Sequence, residues 1–502
     1  MKKRIAYILL SGILTSCFGI KPENYPTLSG IQISAQSDTI NALLGVPLHY
    51  EGIRISSERP VTLEWAYGLP AKDTNPEQGK FESRKVLETT AQTIDYSFHD
   101  VGSFVLRLKA DNGESIAYHY FRLNVNAGYD EGITILDRAD DGTSALTFVK
   151  TLTAEEKAAG EQEVFVFDPV GGLRSGVSLF VTNASLSYGA GNQTAFVILT
   201  ADENGSIYLL DAKTMELVQK TEMKADFGTV PKEAGGEYAR ANDMGLFFIS
   251  EDGRVFRYDM LLGYVNEITS PYTPVERVFP GLTRTIASGA SERYSFYFNR
   301  QTLFTRNSSS AGIHALNADE GYEIVNAAVA RTQSSQQLYV LMKSLTTGGK
   351  YRIRGAQKAF AASLYNNSWG SFVNDFTADE LQMDRQSIML GLKKSSDIYY
   401  TFNDAIYRWG LTTAPATSPA IRLPEGERIM DIASNFMGVA ASGVSGPDNG
   451  EDKLFVVTYN ASRPGDKKGS LYVYNVVDNS LQACYEGICN KPVKVVYKYR
   501  MN

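Results

Sequence analysis

The 502-residue sequence predicts an all-β protein in two parts: a β-sandwich over residues 29–126 and a β-propeller-like domain of about seven blades over residues 130–502. Three observations carry that prediction. Apolar and polar residues alternate with a period of two through the first part, no long amphipathic helical pattern occurs after residue 130, and a two-strand unit recurs there at spacings of about 43 to 60 residues. Nearly five hundred residues exceed what one core organises, which agrees with two domains.

The first element is a leader. Lys2, Lys3 and Arg4 precede an apolar run from Ile5 to Leu14, the layout of a secretory signal and too short to span a bilayer, which takes about 20 apolar residues. Leu14-Thr15-Ser16-Cys17 resembles the bacterial lipobox, and that resemblance implies removal of residues 1–16 and lipidation of Cys17 as the new N-terminus. Several acyl chains, at about 0.8 kcal/mol per buried CH₂, anchor a protein stably where one does not. No other stretch reaches about 18 uninterrupted apolar residues, so no transmembrane helix is predicted. Loss of the leader removes three positive charges and takes the formal net charge from −7 to −10, which leaves no electrostatic footprint for nucleic acid.

Residues 17–28 read as a tether. Short strands bounded by turn signals follow, among them "VTLEWAYGL" and "SFVLRLKADNG", in which Phe104, Leu106 and Leu108 alternate with Val105, Arg107 and Lys109. About 100 residues of this pattern make a sandwich of immunoglobulin size. "YSFHDVGSFVLRLKADNGES" resembles the late strands of a PKD domain, and Trp65 falls where such sandwiches bury a tryptophan.

Beyond residue 130 the repeated unit is an apolar or aromatic strand, a polar or glycine turn, and a second strand. Its first strands begin near Ala195, Gly245, Tyr294, Gln337, Asp397 and Lys453, and Gly132 opens a more distant seventh copy. Such a hairpin is the middle of a four-stranded blade, whereas stacked sandwiches would repeat near 100 residues. The acidic turns, such as "DENG" at 202–205 and "EDG" at 251–253, lack the D-x-[DN]-x-[DN]-G pattern with a distal glutamate, so they read as turn geometry and no metal is assigned.

Lipobox, PKD-like sandwich and tyrosine-rich propeller-like region together resemble the PKD-like lipoproteins of Bacteroidota. That resemblance implies an outer-membrane, lipid-anchored, surface-exposed protein that partners a TonB-dependent transporter and a SusD-like lipoprotein in nutrient uptake, with a glycan or peptide as ligand. It transfers no catalytic motif.

Four histidines, three of them in the first part, leave His314 alone in the propeller, and neither G-x-S-x-G nor H-E-x-x-H occurs. No catalytic residue and no cofactor is therefore assigned, and the leading expectation is a non-enzymatic binding protein. A surface glycoside hydrolase or lyase is the alternative, since it needs only two carboxyl groups about 5 to 10 Å apart; Asp404, Asp243 and Asp259 are as eligible as dozens of others. A structural docking subunit is the third reading. Tyr365 and Trp369, in "SLYNNSWGSF", are the candidate ligand-stacking residues, with packing between blades as the alternative for Trp369; Trp409 reads as core. Cys484 and Cys489 flank Glu486-Gly487, and a tight turn there would face them across a hairpin as a disulfide, with two free thiols as the other reading.

Overall fold

The computed structural model describes residues 28–498 except 45–46, 70–84, 88–89, 99, 101, 127, 130, 159, 161, 182–185, 189–190, 194, 213, 241–242, 261, 269–273, 286–290, 308–312, 332–335, 357–368, 371, 380, 393–396, 411–413 and 436–451. The chain divides into two compact units, Met1–Ala127 and Gly128–Asn502.

In the first unit, alternation builds two layers over one core. A five-stranded sheet takes Thr39–Leu43, Ile116–Asn126, Gly102–Asp111, Thr62–Gly68 and Lys85–Val86 in that order, with the first pair parallel. Two short antiparallel ladders, Ile31–Ala35 with Ile53–Ser57 and Pro47–Tyr50 with Ile94–Ser97, supply the other layer. Phe104, Leu106 and Leu108 point into the core they share with Ile40, Ile53, Trp65 and Ile94. Trp65 is fully buried, stacks near Phe121 at 5.9 Å between centroids, and donates its indole N–H to Ala91 O at 2.9 Å.

The second unit is a β-propeller. Among the described residues it holds seven four-stranded sheets, each an antiparallel meander from an inner strand a to an outer strand d. Blade 2 comprises Gly176–Val181, Ala195–Thr200, Ser206–Asp211 and Leu217–Glu222; blade 3 comprises Pro231–Arg240, Asp243–Ser250, Val255–Asp259 and Tyr264–Glu267. Blade 4 runs through Arg277–Thr285, Ser291–Phe298, Thr302–Asn307 and Ile313–Asn317, and blade 5 through Tyr322–Arg331, Gln336–Ser344, Lys350–Ala356 and Phe372–Thr377. Blade 6 takes Met389–Gly391, Ile398–Phe402, Ala405–Trp409 and Ile421–Arg422; blade 7 takes Arg428–Ser434, Lys453–Tyr459, Gly469–Asn475 and Leu481–Cys489. In blade 1 the C-terminal strand Lys491–Lys498 is strand a, followed outward by Gly132–Arg138, Ser144–Lys150 and Val164–Phe167. The last strand thus pairs with the first strand of the unit and closes the ring.

Packing follows from this order. One apolar core lies between each pair of neighbouring blades, including a core between blades 7 and 1 built from Ile133, Ile135, Val149, Phe455, Val457, Leu471 and Val495. The middle strands of the recurring unit line these cores on both faces. In strand b of blade 3, for example, Leu246 and Phe248 face blade 2 while Phe247 and Ile249 face blade 4. The acidic hairpin residues shape turns. Asp202 Oδ1 accepts from the backbone N–H of Asn204 and of Ser206 at 3.0 and 3.1 Å, and the buried Thr200 hydroxyl donates to Ser206 O at 2.9 Å. Gly253 adopts φ 82° in the equivalent turn of blade 3, and a Cβ there would lie 2.7 Å from Pro274 Cβ.

The expected Cys484–Cys489 disulfide is corrected. Both residues are free thiols on the same outer strand of blade 7, Cys484 opposite Tyr472 and Cys489 opposite Gly469. Gly487, at φ 63°, makes a bulge within the strand instead of a turn between two strands, and the register shifts there. Five residues along one strand, at about 3.3 Å each, exceed the reach of a disulfide even after a bulge.

Candidate functional site

Polar chemistry in the propeller gathers where the inner strands begin, around the axis, at the end that carries the b–c hairpins and the d–a connections. Inner strands in blades 2, 3, 5 and 7 each carry an extra residue near their start: Val177, Lys232, Val325 and Met430. In blade 1 the pairing skips Val493 in the same way. A bulge re-aims the residue that follows it and twists the strand. The re-aimed residues are Ser178, Glu233, Asn326, Asp431 and Lys494, and Arg277 of blade 4 sits beside them.

These side chains join one blade to the next. Ser178 Oγ accepts the Ala234 N–H at 3.1 Å, from blade 2 to blade 3. Arg277 Nε stands 3.5 Å from Glu233 Oε2, tying blade 4 to blade 3. The buried Asn326 amide donates to Asp384 O and Ser387 O at 3.1 and 2.9 Å, reaching the connection into blade 6. Asp431, 2% exposed, accepts from Lys494 Nζ at 3.2 Å and from the Val495 N–H at 2.9 Å, so blade 7 holds the closing strand.

The closing strand is fixed at both ends as well. Asn490 donates its backbone N–H and side-chain amide to Asp137 at 3.1 and 3.0 Å, and the Tyr497 hydroxyl donates to Glu131 at 2.5 Å. Burial pushes the Asp137 carboxyl above the usual range, against the opposing pull of its Asn490 hydrogen bonds. Burial likewise pushes the Tyr497 hydroxyl up, as does its bond to Glu131.

The connection into blade 6 adds the second group of charges. Arg385 donates to Ile324 O and pairs with Glu276, while Arg277 donates to Arg385 O at 2.6 Å. Lys232 Nζ donates to Glu276 O at 2.8 Å. Each of the carboxylates Glu233, Glu276 and Asp431 therefore faces a cation, Arg277, Arg385 and Lys494 respectively.

The residues singled out in the sequence fall elsewhere. Trp369 precedes the outer strand of blade 5, packs on the core between blades 4 and 5, donates its indole N–H to Asn317 O at 2.7 Å, and lies under the Arg354 guanidinium at 5.9 Å. Arg352, on the same strand as Arg354, clamps Asp375 at 2.6 and 2.8 Å and reaches Asp319 at 3.0 Å, so this seam between blades 4 and 5 is a packed ionic latch. Tyr365 and Cys17 lie outside the described residues. Trp409 is core, beside Tyr400. Asp404 pairs with Arg422 at 3.1 Å and Asp259 with Arg257 at 3.2 Å, on different blades; Asp243 opens the second strand of blade 3 and His314 lies in the outer strand of blade 4. Among the described residues, no three His, Cys, Asp or Glu side chains gather as a metal-binding group. The polar ring was missed because its members share no residue type; a bulge at one level in successive inner strands is visible only in the pairing.

No protein-family model matches the chain, and no curated protein does. Among solved structures, it is similar to a quinoprotein alcohol dehydrogenase-like protein from Bacteroides thetaiotaomicron VPI-5482, at 13% identity and a TM-score of 0.46, over 94% of this chain and 100% of that chain. Dihydro-heme d1 dehydrogenase NirN in complex with DHE matches at 11% identity and a TM-score of 0.39, over 74% of this chain and 76% of that one. U3-55K matches at 10% identity and a TM-score of 0.38, over 62% and 82% respectively. No activity carries over from any of them.

Proposed function

We propose that the chain is a lipid-anchored envelope protein whose propeller binds a glycan, a peptide or a partner lipoprotein without catalysing a reaction, as an accessory of an outer-membrane uptake system. The observation that supports binding over catalysis is the pairing of charges around the axis. Glu233, Glu276 and Asp431 each have a cation in contact, whereas a glycosidase needs one carboxyl group held protonated and another left ionised beside the bond to be cleaved. A rigid ring of blades that displays loops suits recognition, since loops on a fixed frame lose little entropy on binding. The lipobox resemblance supports the anchor, and the resemblance to PKD-like lipoproteins supports the TonB-dependent transporter and SusD-like lipoprotein as partners.

The test is affinity purification of the full-length protein from membranes of its own cell after mild crosslinking. Co-purification of a TonB-dependent transporter and a SusD-like lipoprotein supports the reading. Recovery of the protein alone, or release of reducing ends from a glycan panel by the purified protein, overturns it.

A further inference from the structure

We propose that the connection 381–388 leading into blade 6 carries a strap, residues 384–387, latched by Arg385 over the inner ends of blades 4 and 5, and that the strap opens as a unit while the ring stays closed. The segment is built in two halves of opposite character. Met383 is buried in the core between blades 5 and 6, with Leu381 packed against the same core, which holds the first half apolarly. The second half has polar attachments: Arg385 to Ile324 O of blade 5 and to Glu276 of blade 4, Arg277 back to Arg385 O, and the Asn326 amide to the carbonyls of Asp384 and Ser387. Its own shape is preset, because Asp384 Oδ1 accepts the N–H groups of Gln386 and Ser387 at 2.8 and 2.9 Å.

Glu276 is 44% exposed in its side chain, so water and salt reach the latch, and the contacts broken on opening are ones that water replaces. No residue of 384–387 joins an interblade core; Ile388 does, packing against the core between blades 6 and 7 and exchanging hydrogen bonds with Thr401 of blade 6 at 3.0 Å in each direction, so it stays fixed as the strap releases. Opening uncovers the Asn326 amide, the Ile324 carbonyl and the Glu276–Arg277 pair together, a set of donors and acceptors at the inner ends of blades 4 and 5. The strap therefore controls access to that part of the polar ring.

Hydrogen exchange on the full-length protein tests this with wild type, Arg385→Gln and Glu276→Gln, at about 0.05 and 0.5 M salt. The amides of Gln386 and Ser387 are expected to exchange at least tenfold faster in Arg385→Gln and several-fold faster in wild type at high salt, with the Ile388 amide, held by Thr401 Oγ1, and the strand amides of blades 1–3 unchanged. Unchanged protection of Gln386 and Ser387 overturns the proposal, and so does an equal acceleration in every blade. Where Arg385→Gln does not fold, the wild-type salt dependence decides alone: a rise confined to Gln386 and Ser387 supports the strap, and a flat response refutes it.

Discussion

Replacing Asp431 by alanine separates the roles of charge and backbone hydrogen bonding at the seam where the ring closes. The carboxylate is 2% exposed and accepts two hydrogen bonds from the closing strand, one from Lys494 Nζ and one from the Val495 N–H. Lys494 keeps 35% of its side chain exposed and turns to water when its partner is removed, so its loss is small. Val495 is 1% exposed, and a buried N–H left without an acceptor costs about 1–3 kcal/mol. The cavity left by the carboxyl group adds to this, and about 3 kcal/mol in total is expected for Asp431→Ala. Asn keeps an acceptor for Val495 and loses only the ion pair, so about 1 kcal/mol is expected for Asp431→Asn. With roughly 2.1 cal/mol/K per residue over the 375-residue unit Gly128–Asn502, 3 kcal/mol corresponds to a fall in Tm of about 4 °C. Differential scanning calorimetry on both variants measures the difference. Equal Tm values for alanine and asparagine would refute the argument that the Val495 N–H dominates, and no loss in either would show that the seam does not depend on Asp431.

Three further outcomes are expected. Cys17→Ala should abolish labelling by radioactive palmitate and move the protein out of the membrane fraction; unchanged membrane retention would refute the anchor. In folded protein, a maleimide should label the exposed Cys484 and leave Cys489, whose thiol burial pushes up, until denaturant is added; failure of both to label without reductant would restore the disulfide. Trp369→Ala removes a half-buried indole and its bond to Asn317 O, at a cost of about 2 kcal/mol, read as a lower Tm of the propeller. An unchanged Tm would move Trp369 from packing to ligand stacking.

The part of the propeller legible in sequence was the middle of each blade. Strands b and c are buried on both faces, so "AFVILT" and "SIYLLD" read as continuous apolar runs with a polar turn between them, and the turn residues mark their ends. All six recurring hairpins and the distant copy at Gly132 prove to be these middle pairs. Inner strands hid because they crowd around the axis and carry bulges: "PKEAGGEYAR" has neither alternation nor a long apolar run, yet it is strand a of blade 3. The cysteine hairpin failed for a related reason. Glu486-Gly487 carries the local signal of a turn, and the partner of "KPVKVVYK" is Gly132–Arg138, more than 350 residues earlier, a pairing that no local pattern reports. The polar ring depends on that same long-range register, so it too was invisible until the strands were paired.

Closure of the ring by the C-terminal strand is the claim on which the rigid binding frame rests. Arg138 and Lys491 are directly opposed across the seam, at its hairpin end, where Cα atoms of partners lie about 4.5 to 5.5 Å apart, within disulfide range. A chain with Arg138→Cys and Lys491→Cys, and with Cys484 and Cys489 changed to serine, should form an intramolecular bond on mild oxidation and run faster on a non-reducing gel. Protein that stays reduced, or that crosslinks only between molecules, would contradict a closed seven-bladed propeller.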